Sequence, residues 1–234
     1  MEFINFIKTG FYHVAPILLA GLFGVMIIVE RAYSLYVSYP LRNPEAFFEK
    51  ISALVMSGKQ SEAIAACDRY KEKPIAKIVK TALTRSHLPE GLIQDGIHLT
   101  LSKCTQTLLK RTSFLATIAN VATLLGLFGT IAGLIQSFEA VGHADAQQKS
   151  ALLSAGIATA MNATMLGLGV AIPCMIAFSI LMNRSNRLIA ELEQSSIQIV
   201  DILKQRFYSS EFHAASTEGT SEKSKKSSSH RKAA

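Results

Sequence analysis

SALLSAGIATAMNATMLGLGVAIPCMIAFSILMN, Ser150 to Asn183, runs for 34 residues without an Asp, Glu, Lys or Arg. A helix rising about 1.5 Å per residue needs roughly 20 such residues to cross a bilayer. Two further uncharged runs, Thr9–Val29 and Thr112–Phe138, are 21 and 27 residues long. Together they predict an all-α integral membrane protein with three transmembrane helices. The second and third runs exceed what a bilayer needs, so both helices are expected to extend beyond it. The composition agrees: of 234 residues, 49% are hydrophobic and only 18% charged, an apolar balance for a chain this long.

The first run differs from a signal peptide. Glu2 and Lys8 both precede it, no small-x-small cleavage site follows, and it enters Glu30-Arg31-Ala32-Tyr33-Ser34-Leu35-Tyr36. Charge and aromatic rings in that order suit a membrane boundary, so the run is read as a retained span. Of the 24 Lys and Arg, Lys8 precedes the first span and Lys149 lies between the second and third. The rest fall at Arg31, between 42 and 111, or beyond 183. The positive-inside rule then predicts an outside N-terminus and a cytoplasmic C-terminus. The expected division is 1–39 for the outside N-terminus and first span, 40–111 for a cytoplasmic helical segment, and 112–138 for the second span. An outside (periplasmic) loop follows over 139–149, the third span over 150–183, and a cytoplasmic helical extension over 184–208. Residues 209–234, rich in Ser, Thr, Lys and Glu, are expected to form a disordered basic tail, because they cannot bury apolar surface.

Several function classes are excluded by type and spacing. The net charge of +7 resides in the loops and tail, without the interleaved aromatic residues of a single-strand nucleic-acid binder. Cys67, Cys104 and Cys174 have no metal-ligand spacing, and the six histidines are scattered. Gly58-Lys59-Gln60-Ser61 lacks the earlier glycine and the preceding strand of a phosphate loop. No cofactor, metal or enzyme is expected, since nucleophile, base and metal constellations are all missing. Between 40 and 111 the start signals Asn43-Pro44, Pro74 and Pro89-Glu90 predict helices, with Gly58 closing the first and a short one over 61–70. The last of these is expected to continue through Lys110-Arg111 into the second span.

On a 100° wheel, Ala119, Ala122, Gly126, Gly129 and Gly133 form one stripe of the second span. Asn120, Thr123, Thr130 and Ser137 form an adjoining polar one. In the third span Gly156, Ala160, Ala163, Gly167 and Ala171 form a small-residue stripe, with Thr164 at its edge. Thr159 lies about 100° from Ala160, and Asn162 falls on nearly the opposite face. Small stripes let helices approach closely in lipid, where no hydrophobic drive assembles them. They predict a homo-oligomer whose polar stripes surround a central space. Thr159, Asn162 and Thr164 cannot all face one pore on a straight helix, although Pro173 could bend it.

These features resemble the MotA/TolQ/ExbB proton-channel family, most closely its three-span ExbB/TolQ-like branch. The residues that carry the likeness are Leu125-Gly126-Leu127-Phe128-Gly129-Thr130-Ile131-Ala132-Gly133, then Gly156-Ile157-Ala158 through Asn162-Ala163-Thr164, Gly167 and Ala171-Ile172-Pro173. Glu30-Arg31 with Tyr33, Leu35 and Tyr36 adds to it. The resemblance implies a homopentamer around a dimer of a single-span ExbD/TolR/MotB-like partner bearing a membrane aspartate. Ion flow, of protons in preference to sodium, would protonate and deprotonate that aspartate and drive mechanical work in the cell envelope. Thr130 and Thr164 match lumen-facing threonines that would hydrogen-bond the carboxylate or the passing ion. Thr159 stands where many ExbB and TolQ members carry a glutamate, so an acid role cannot be transferred there. Asn120, Thr123, Ser137, Thr159 and Asn162 are left as pore-lining or interhelical polar residues. The alternative is a non-conducting membrane scaffold organising envelope proteins, which the missing acid would suit.

Overall fold

The computed structural model describes residues 11–41 and 43–230, with side chains described for 14–41 and 43–208. Among the described residues there is no strand. Helix α1 spans Phe11–Tyr33 and closes in a π-helical turn, Ser34–Ser38. Four helices follow: α2 (Pro44–Met56), α3 (Gln60–Asp68), α4 (Pro74–Thr84) and α5 (Glu90–Leu109). The long helices α6 (Thr112–Gly142) and α7 (Lys149–His230) complete the chain. Among the described residues three segments are long and apolar enough to cross a membrane, one each in α1, α5–α6 and α7.

The chain divides into two compact units. One comprises 1–38 and 107–187 and contains the apolar parts of α1, α6 and α7. Small side chains fill its closest helix contacts, with larger ones such as Ile17, Leu35 and Leu115 buried around them. Ala119, Ala122, Ala171 and Cys174 form a buried cluster against which Ile118 and Val170 pack. Large apolar groups such as Leu22, Phe23, Leu124, Phe128 and Ile176 point outward instead. Close backbones at the helix contacts, with much of the bulk turned toward the acyl chains, are what helices in lipid require.

The other unit comprises 39–106 and 188–234 and has an ordinary hydrophobic core. Phe48, Ile51, Val55, Ile78, Val79, Leu83, Leu192 and Ile199 are buried in it. Pro74 opens α4 at its first turn, where a missing N–H costs nothing. Gly58 adopts φ +75° and lets α2 end tightly, its N–H reaching Val55 O at 3.2 Å and Lys59 N–H reaching Leu54 O at 3.0 Å. Phe47 meets Phe48 and Tyr70 edge-on, each with ring centroids 5.8 Å apart. Burial, reinforced by the Asp68 charge and opposed by Lys80, pushes the Cys67 thiol up to about 11. Its thiolate is therefore scarce below that pH. Alkylation of Cys67 at mildly alkaline pH is expected to be much slower in the native protein than after unfolding, as read by peptide mass spectrometry.

Two differences from the sequence expectation stand out. The helix starting at Glu90 does not run on into the second span: it stops at Leu109, and Arg111 takes the left-handed conformation, φ 63°, before α6 begins. The cause is tertiary, since Arg31 takes up the carbonyls at the end of α5, as described below. Residues 209–230, expected to be part of a disordered tail, continue α7 in backbone, and 231–234 lie outside the described residues. Pro173 sits within α7 without ending it.

Candidate ion-path groove

Close approach of α6 and α7 builds the site. A Cβ placed on Gly167 would lie 2.7 Å from Ala122 O and 2.8 Å from Gly126 Cα. One on Gly126 would lie 3.1 Å from Gly167 Cα, and one on Gly133 would lie 3.2 Å from Ala160 Cα. Gly156 packs directly on Ser137. The two small-residue stripes thus face each other, with Gly129, Ala160 and Ala163 buried alongside.

This register brings Thr130 and Thr164 to one surface. Thr130 of α6 and Met161, Thr164, Met165, Leu168, Gly169 and Ile172 of α7 line an open groove of about 580 Å³. Its walls are almost wholly apolar apart from the two hydroxyls. Thr164 Oγ1 donates across the interface to Gly126 O at 3.3 Å. Thr130 Oγ1 donates to Leu127 O, 2.6 Å away in its own helix. With each hydrogen committed to a carbonyl, what faces the groove is oxygen lone pairs, which accept hydrogen bonds or meet a cation.

The remaining polar residues fall outside this groove. Thr123 and Ser137 bond back to Ala119 O at 3.0 Å and Gly133 O at 2.7 Å, the usual way hydroxyls are satisfied in apolar helices. Thr159 is exposed and bonds to Ala155 O at 2.9 Å. Asn120 is exposed and Asn162 half-buried. No group of three or more His, Cys, Asp or Glu able to hold a metal occurs among the described residues.

Sequence reasoning missed two parts of the assembly. Gly21 and Gly24 bring α1 against α7: a Cβ on Gly24 would meet Cys174 Sγ at 2.7 Å, and one on Gly21 would meet Val170 Cγ2 at 3.0 Å. The signal was available in their spacing of three within an apolar span. The second is Arg31, read from sequence only as a boundary charge. It is buried, its NH2 group donates to Leu108 O and, at 3.3 Å, to Thr107 O, and its Nε lies 3.4 Å from Thr112 Oγ1. Ser185 Oγ adds a bond to Leu108 O at 3.3 Å, and Glu30 pairs with Arg111 at 2.5 Å. A cation at the C-terminal carbonyls of α5 complements the helix dipole and satisfies groups the break would orphan.

A profile of the MotA/TolQ/ExbB proton channel family matches residues 70–194. The chain belongs to this family. A putative biopolymer transport protein ExbB-like 3 of Synechocystis is 32% identical over 82% of this chain and 90% of its own length. The Tol-Pal system protein TolQ of Haemophilus influenzae is 37% identical over 42% of this chain, and the match spans 44% of that relative's length. TolQ of Pseudomonas aeruginosa is 34% identical over 52% of each chain. Family membership and three apolar helices make this a multi-pass membrane protein of a proton-channel, energy-transducing family.

Proposed function

We propose that this chain is the ion-conducting subunit of an envelope motor in the inner membrane. Five copies surround a dimer of a single-span ExbD/TolR/MotB-like partner, and proton flow through the complex is turned into mechanical work in the envelope. The observation that carries this reading is the convergence of Thr130 and Thr164 on one apolar groove. A carboxylate in mid-membrane costs about 2.5 kcal/mol or more, and such groups are tolerated where they work. Because both hydroxyl hydrogens are engaged, the groove favours a partner acid in its protonated form, or a hydrated cation. The expected hydrogen bond of these threonines to the carboxylate or the passing ion is then one that they accept. Thr159 contributes no acid, so the titrating group belongs to the partner. The N-terminus faces the periplasm and the basic segments face the cytoplasm, as their charge favours.

Thr130→Val and Thr164→Val keep side-chain volume and remove the lone pairs. Each is expected to abolish ion-driven output while the chain still co-purifies with its aspartate-bearing partner. Normal output from both would refute the groove assignment. Loss of output on adding a protonophore, unchanged by removing sodium, identifies protons. A complex purified without any aspartate-bearing companion would favour the scaffold reading.

A further inference from the structure

We propose that Arg184, backed by Tyr36, binds the phosphate of an anionic lipid headgroup at the end of the first span. Arg184 Cζ lies 5.5 Å from the centroid of the Tyr36 ring. Its Nε is buried without a hydrogen-bond partner, while the residue as a whole is only half-buried. The terminal nitrogens make no hydrogen bond or ion pair among the described residues. The guanidinium thus lies over the ring, part of it accessible and its donors not engaged by the described residues.

The depth of the site suits a headgroup. Tyr36 belongs to the π-helical turn Ser34–Ser38, the last turn of the candidate span Val14–Ser38. Tyr33, Tyr36 and Val37 around it are 65%, 54% and 57% exposed, an aromatic and apolar fringe of the kind found at membrane–water boundaries. The π turn carries an extra residue, which shifts Tyr36 from the face an α-helix would give it.

The charge balance singles out Arg184. Arg31 is spent on the carbonyls of Thr107 and Leu108, and Arg111 on Glu30. Glu30, the acid at this level, is therefore already paired. Arg187, three residues on along the same helix face, is exposed and adds a second positive charge. A stacked, weakly hydrated guanidinium with a free fork matches phosphate oxygens better than an ammonium does. Anionic lipid is concentrated at the surface where such a group sits.

The full-length protein in nanodiscs of mixed phosphatidylglycerol and phosphatidylcholine tests this, with the retained lipid ratio read by native mass spectrometry after detergent release. Phosphatidylglycerol is expected to be enriched, and Arg184→Gln to lower the enrichment about tenfold. Arg184→Lys, which keeps the charge and loses the fork, is expected to fall between. Unchanged enrichment in Arg184→Gln overturns the proposal, as does equal loss of both lipids. Displacement by millimolar inorganic phosphate would make the site one for the free anion, and the lipid assignment would be wrong. Dissociation of copies of the chain in Arg184→Gln, with lipid retention intact, would assign the fork to a carboxylate of a second copy instead.

Discussion

Replacing Gly167 with valine is expected to drive α6 from α7 and unfold the membrane-spanning unit in detergent. Replacing Gly169 with alanine, two positions on, is expected to leave thermal stability unchanged. The contrast follows from what each new side chain would meet. At Gly167 the nearest atoms are Ala122 O at 2.7 Å, Gly126 Cα at 2.8 Å and Gly126 N at 3.2 Å, all of them backbone. No rotamer change can relieve contacts of that kind, so a whole helix must move. At Gly169 nothing lies within 4 Å. Overpacking costs about 1–3 kcal/mol where side chains can yield, and more where they cannot. A loss of about 3 kcal/mol or more is expected here, a large share of a typical folding stability. Thermal unfolding of the purified variants checks it. Co-melting of Gly167→Val with the unmodified protein would show that the helices do not meet at this point. Because Thr164 reaches Gly126 O across the same interface, a milder Gly167→Ala is expected to disturb the groove before it unfolds the protein.

Arg31→Ala carries the second large effect. It removes the donor to Thr107 O and Leu108 O in a buried site, leaving Leu108 O with Ser185 alone. Hydrogen bonds from charged groups contribute about 1.5–3 kcal/mol each. A destabilisation of about 3 kcal/mol is expected, with faster hydrogen exchange at the amides around 108–113. Arg111→Gly provides the comparison. It forfeits a half-exposed pair with Glu30, worth at most about 1 kcal/mol. It also relieves a left-handed non-glycine residue, worth roughly 1–2 kcal/mol. The net change is expected to be near zero or slightly stabilising. If Arg111→Gly proved as damaging as Arg31→Ala, the ion pair and not the buried guanidinium would be what holds the break.

Much of the groove was legible beforehand, because small residues recurring every three or four positions have one main use in lipid. The stripes in the second and third spans, and Thr164 at the edge of one, could be found on a helical wheel. Which polar residue meets which could not. Thr123, Ser137 and Thr159 look equivalent to Thr130 on composition, and all four hydroxyls return to their own helix, yet of these only Thr130 lines the groove. Periodicity places a residue on a face but is silent on the register between faces.

Run length and the absence of charge were sufficient to determine three membrane-crossing helices, since unpaired backbone polar groups in lipid leave few alternatives to helix. Glycine and alanine spacing determined where those helices could approach. Tertiary structure alone decided the break at Lys110-Arg111. Local propensity there favours a continuous helix, and the carbonyls that the break exposes are taken up by a guanidinium 76 or 77 positions earlier in the chain, with Ser185 beside it on Leu108 O. It also decided that Thr130 and Thr164 share a groove, because that depends on how far one helix slides along another, and the contact of Gly126 with Gly167 sets that distance.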